Sequence, residues 1–143
     1  MDVLLRECGK HRVLRQGTDV LDVTLNQDLT ADECVQLLVA RNEFTLGLPY
    51  FLVVCRLGAF ERISMAAGRV LADAPDHRPQ GIVFVDAGFR ARTVAGMVIR
   101  SAGLFVRHRP LFHFSSTEDD AQMWLEKARQ QLCAETQRPS SGA

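Results

Sequence analysis

The sequence predicts an α/β fold, a mostly parallel sheet with one antiparallel edge strand and helices packed on the sheet. Three observations lead there. Two short apolar runs, Phe51-Leu52-Val53-Val54-Cys55 and Ile82-Val83-Phe84-Val85, have the unbroken hydrophobicity of strands buried on both faces. Segments with a helical apolar period separate them. A pair of short β segments around a turn opens the chain. Strands alternating with helices imply parallel pairing through right-handed crossovers. The resulting order is β-β-α-β-α-β-α-β-α.

Each element has a local cause. Arg12-Val13-Leu14, the turn Gln16-Gly17-Thr18 and the alternating stretch from Val20 to Leu25 read as a hairpin. Thr30 and Glu33 form a capping box, after which Cys34, Val35, Leu38 and Val39 make one apolar helical face. That helix should end before Gly47 and Pro49. The strand Phe51 to Cys55 follows, then a loop through Gly58. Ser64 is a cap for a second helix with the face Ile63, Ala67, Val70, Leu71 and Ala74, closed by Pro75 and Pro79. After the strand Ile82 to Val85, a third helix starts beyond Asp86-Ala87-Gly88 and runs towards Val106. Pro110 precedes a last strand, Leu111 to Phe114. Ser115 and Glu118 read as a second capping box for a helix with the face Ala121, Trp124, Leu125, Ala128 and Leu132.

The chain has 143 residues, one domain's worth, assigned to residues 1–133 with a disordered tail over 134–143. A domain of this size buries about two thirds of its unfolded surface, so it needs no metal or disulfide. Lysine and arginine number 17, as do aspartate and glutamate, which argues against a generic nucleic-acid binder. Cys8, Cys34, Cys55 and Cys133 are scattered with no C-x-x-C pair, so no metal site is expected and the compartment reads as reducing cytosol. Arg6 interrupts the N-terminal apolar residues too soon for a signal peptide. No apolar run approaches the roughly 20 residues that cross a bilayer. The expectation is a cytoplasmic protein that is not integral to a membrane.

The ordered set of local sequences resembles the STAS superfamily, and most nearly its STAS/Sec14-like, SpoIIAA-like bacterial branch of anti-sigma-factor-antagonist-like proteins. Gly9-Lys10-His11-Arg12-Val13 and Asp19-Val20-Leu21-Asp22-Val23 run into Leu29-Thr30-Ala31-Asp32-Glu33. The strand Phe51 to Cys55 leads to Ile63-Ser64, and Val85-Asp86-Ala87-Gly88-Phe89-Arg90 opens an apolar helix. Leu111-Phe112-His113-Phe114-Ser115 leads to Asp120-Ala121-Gln122-Met123-Trp124-Leu125. The resemblance covers residues 9–133. It implies a non-catalytic binding or switch module, with partners docking at the loop from Arg56 to Arg62 and at Asp86-Ala87-Gly88. Sporulation-type members carry a phosphorylated serine in an Asp-Ser-Ser-Gly motif at the second helix. Here Ser64-Met65-Ala66-Ala67 stands at that place, so no phosphorylation is expected and Ser64 reads as an N-cap.

The third helix is the most informative segment. Ala91, Val94, Ala95, Val98, Ala102 and Phe105 form the face that covers the sheet. Phe89, Gly96, Met97, Gly103 and Leu104 lie on the other side with Arg100 and Arg107. A glycine inside a helix costs about 0.5–1 kcal/mol, which close approach of a partner would offset. The same surface is explained equally by cover from a neighbouring helix of the domain or by the helix ending near Gly103. Between Asp76 and His113 six arginines, among them Arg90 and Arg92, face two aspartates, an excess of four. An anionic partner fits that excess, but solvated charge compensated elsewhere is the simpler account. Asp86-Ala87-Gly88 lacks the further glycines of a phosphate loop and reads as a tight turn. No G-x-S-x-G or H-E-x-x-H occurs, so no catalytic residue is assigned.

The function expected from the sequence is a non-catalytic regulatory interaction module without a cofactor. Its partner is another protein or a second copy, bound through Ser64, Phe89, Arg90, Met97, Arg100, Leu104 and Arg107. The alternative is a Sec14-like carrier or sensor of a hydrophobic small ligand or lipid. An enzyme with a site assembled from loops is disfavoured.

Overall fold

The computed structural model describes residues 4–103 and 109–137, and the side chains of 4 and 101–103 are outside the description. Among the described residues the order is β1 (Leu4–Cys8), β2 (His11–Gln16), β3 (Val20–Leu29), α1 (Ala31–Phe44), β4 (Phe51–Ile63), α2 (Met65–Ala72), β5 (Gln80–Val85), α3 (Phe89–Gly103), β6 (Leu111–Ser115) and α4 (Glu118–Gln137). The strands form one sheet in chain order, β1 to β6. The pairs β3–β4, β4–β5 and β5–β6 are parallel, while β1–β2 and β2–β3 are antiparallel. The expected mixed sheet with its antiparallel edge is present.

Several boundaries differ from the sequence reading. β1 was not expected; it adds a second strand to the antiparallel end, in register from Leu4 opposite Arg15 to Cys8 opposite His11. The loop expected through Gly58 is strand, because β4 continues to Ile63 beside an equally extended β3. The register shifts twice along that ribbon, and Gln27 takes a positive φ of 56° there, the mark of a β-bulge. α4 runs to Gln137, past the expected end of the domain, and 138–143 lie outside the described residues.

Side-chain alternation divides the core between the two sheet faces. Leu21, Leu25, Cys55, Leu57 and Phe84 face α1, α2 and α3. Val20, Leu52, Val54, Val83 and Val85 face α4, which buries Ala121, Leu125, Ala128 and Leu132 as its period predicts. Gly81 admits that helix closely, since a Cβ there would stand 3.0 Å from Leu52 and 3.3 Å from Trp124. α1 is rotated from its expected face: Cys34, Ala40 and Phe44 are buried, while Val35 and Val39 are exposed. The two valines lie one position round the helix from the residues that meet β1, the strand absent from the sequence reading.

The caps are partly as read. Thr30 Oγ1 accepts from the Glu33 backbone N–H, and the Glu33 side chain accepts from the Thr30 N–H at 3.1 Å. Ser64 Oγ accepts from the Ala67 N–H at 3.0 Å. The last helix is capped two residues later than expected, by Thr117, whose Oγ1 accepts from the Asp120 N–H at 3.1 Å. Ser115 instead bonds the Thr117 backbone.

A polar cluster around the buried His11 pins α1 to the hairpin. His11 is buried and its Nδ1 accepts from the Asn26 N–H at 3.0 Å, at the first register shift. Nδ1 is therefore unprotonated and Nε2 carries the proton, which it donates to Glu33 Oε1 at 3.0 Å. Lys10 Nζ donates to both Glu33 oxygens at 3.0 Å. Burial pushes the Glu33 carboxyl up, but Lys10, the Thr30 N–H and His11 outweigh it and hold the pKa at about 2.

Candidate functional site

The sequence-predicted residues gather only in part. Ser64 sits exposed at the cap of α2. Phe89 and Arg90 are exposed on the first turn of α3, and Met97 and Arg100 follow along the same helix. Leu104 and Arg107 lie outside the described residues. The sequence reading omitted Met65, which follows Ser64 and is 85% exposed, comparable to Phe89 at 87% and above Met97 at 59%. Met65 and Met97 line one surface groove between α2 and α3, with Gly68, Arg69 and Ala72. Its signal in sequence was an apolar residue directly after a cap, on the side away from Ala67.

Gly96 does not receive a neighbouring helix. Arg100 folds back over it, its Nε donating to the Gly96 carbonyl at 3.1 Å, so that a Cβ would stand 3.3 Å from the guanidinium. Arg107 lies outside the described residues, and Arg78 and Arg92, two of the other arginines of that stretch, have separate partners. Arg78 is locked to Asp76 at 2.7 Å, and Arg92 donates to the Ala87 carbonyl while lying over the Phe114 ring. The segment from Arg56 to Arg62, expected as a docking loop, lies in β4. Arg56 donates to Asp22 at 2.9 Å and also pairs with Glu118, and these acceptors raise its pKa.

Beneath α2 and α3 the fold is loosely filled. A chamber of about 200 Å³ and a second of about 210 Å³ lie between the sheet and the helices. They abut, sharing Val23, Val53, Leu71, Ile82, Val98 and Ile99. The second is lined by apolar side chains and Cys55 alone. The first opens towards Arg41, Asp76 and Gln80. On the helix side, Leu71, Val98 and Ile99 line both chambers, and Val94 and Ala95 line the second. Protein interiors are normally packed as closely as organic crystals.

The ionisable groups here do not converge on a reacting position. Burial pushes the Cys34 thiol up to about 11 and the Cys55 thiol up to about 12, so both are protonated at neutral pH and pack as small apolar groups. Among the described residues no group of three or more His, Cys, Asp or Glu side chains is placed to hold a metal ion. Also among the described residues, no helix is long and apolar enough to cross a membrane.

No family model matches the chain, and no curated protein matches it. Solved structures do. An uncharacterized protein of the DUF3478 family from Shewanella loihica PV-4, described as having a SpoIIAA-like fold, is similar with a TM-score of 0.52 at 15% identity, over 87% of this chain and 92% of that one. The anti-sigma factor antagonist SpoIIAA in its unphosphorylated form is similar with a TM-score of 0.47 at 8% identity, over 87% of this chain and 98% of that one. The mixed six-stranded sheet, its antiparallel end and its flanking helices give this chain a SpoIIAA-like fold.

Proposed function

We propose that this domain is a non-catalytic regulatory module of the bacterial cytoplasm that works by presenting a surface. The surface is the ridge formed by α2 and α3, and the occupant is a protein partner or a second copy of the chain. The observation that carries this reading is the exposure of Met65, Phe89 and Met97, three large apolar side chains, beside the exposed Arg69 and Arg90. Apolar residues rimmed by charge are the ordinary composition of an interaction patch. Phospho-switching is not part of the proposal, since Ser64 serves as the cap of α2.

The test is a photo-crosslinking residue at position 97 combined with Met97→Asp. Cross-linking from position 97 to a partner or to a second copy, with assembly lost in Met97→Asp while circular dichroism keeps the fold, is the expected result. Assembly that survives Met97→Asp unchanged removes this ridge from the function.

The two chambers favour a second reading, in which the domain carries or senses an apolar ligand held between the sheet and α2–α3. An apolar pocket with a few polar groups at its mouth is a common place for a small ligand.

A further inference from the structure

We infer that the ligand of this cavity is a single-chain amphiphile, with its alkyl chain in the two chambers and an anionic head held at Arg41. The inference rests on the second reading above and adds the ligand's class.

The charge balance at the mouth points to the head. Asp76 is fully engaged by Arg78: Oδ1 accepts from the Arg78 N–H and Nε, both at 3.0 Å, and Oδ2 accepts from Nη2 at 2.7 Å. Arg78 is in turn fixed by the Thr45 carbonyl at 2.8 Å and lies over the Phe51 ring. Arg41 approaches Asp76 only to 3.6 Å, and its Nε and Nη2 both rest on the neutral Asn42 side chain, at 3.2 and 3.1 Å. Two guanidinium groups thus share one carboxylate. Among the described residues, Arg41 and Asp76 are the charged ones in the lining of the first chamber, and the second has none. Burial, and to a lesser degree Arg78, lower the Arg41 pKa against the pull of Asp76, so a further anion there is favoured. A guanidinium fork binds carboxylate and phosphate alike.

The dimensions point to the tail. Small-molecule sites commonly span roughly 300–1,000 Å³. The two chambers together stand near the low end of that range, which suits one unbranched chain and is too small for a diacyl lipid. Among the described residues the walls offer no side-chain partner for a polar group beyond the mouth, so a second head or a hydroxylated chain would be left unsatisfied there.

The experiment compares dodecanoate, dodecyl phosphate and dodecanol below their micelle concentrations, by calorimetry on the full chain. At least one anion is expected to bind about 10-fold or more tightly than the alcohol, the scale of one charge-assisted hydrogen bond. Arg41→Gln should erase that preference while leaving dodecanol binding in place, and Arg41→Lys should restore part of it. Val98→Phe, which fills space common to both chambers, should remove binding of all three probes while circular dichroism keeps the fold. Dodecanol binding as tightly as either anion overturns head recognition and leaves the cavity reading standing. No binding by any probe, or full binding by Val98→Phe, overturns both.

Discussion

Replacing Glu33 with glutamine should destabilise the fold by about 2 kcal/mol at neutral pH, and the loss should fade in acid. The carboxylate accepts from Lys10 at 3.0 Å, His11 at 3.0 Å, and the Thr30 N–H and O–H at 3.1 Å. Against the upward push of burial, these donors bring its pKa from the ordinary 4.5 to about 2. At about 1.4 kcal/mol per pH unit, that separation is worth about 3 kcal/mol, and screening by solvent at this partly exposed edge trims it to about 2. The sign follows from the direction. A carboxyl lowered in the native state contributes fully above its unfolded pKa, and the contribution is lost as pH falls from about 4.5 towards 2. Urea denaturation of both proteins from neutral pH to about pH 3, followed by circular dichroism, measures it. The wild type should lose stability more steeply than Glu33→Gln across the acid window, so that the two converge. A neutral-pH difference below about 0.5 kcal/mol, or parallel slopes, would refute the assignment of this cluster as the anchor of α1.

Two further substitutions probe other parts of the frame. Gly81→Ala places a Cβ 3.0 Å from Leu52 and 3.3 Å from Trp124, so it should cost about 1–3 kcal/mol by overpacking; Trp124, the one tryptophan of the chain, reports the change by its fluorescence, and an unaltered urea midpoint contradicts the packing. Ser64→Ala should cost about 1 kcal/mol through the lost cap while Ser64→Asp keeps most of the stability, and equal thermal midpoints for all three proteins would show that the cap contributes nothing.

The parts of this fold that sequence made legible are those whose cause is local. The runs at Phe51 and Ile82 need burial on both faces, and the period from Ala121 to Leu132 admits one helix orientation. The Thr30–Glu33 box and the Ser64 cap are set within four residues. β1 was not legible because its alternation is inverted: Leu5 is exposed, while Arg6 turns its guanidinium over the Phe44 ring. The far half of β4 was hidden by Gly58, Glu61 and Arg62, whose polarity suits a strand paired on one side only. α1 was misoriented for want of β1, the strand that decides which of its faces is covered. At the candidate site, exposure of Phe89 and Met97 followed from the helical period. The cavity did not, since it forms where side chains of separate helices and strands, distant in sequence, come together.

The ribbon of β3 and β4 ends on a single rung, Leu29 opposite Ile63. Both N-caps, Thr30 and Ser64, are the next residues, and the Ser64 N–H donates to the Leu29 carbonyl at 3.0 Å. α1 and α2 therefore swing from a common hinge pin rather than from separate loops. A substitution that displaces Leu29 or Ile63 would therefore shift the starts of both helices at once.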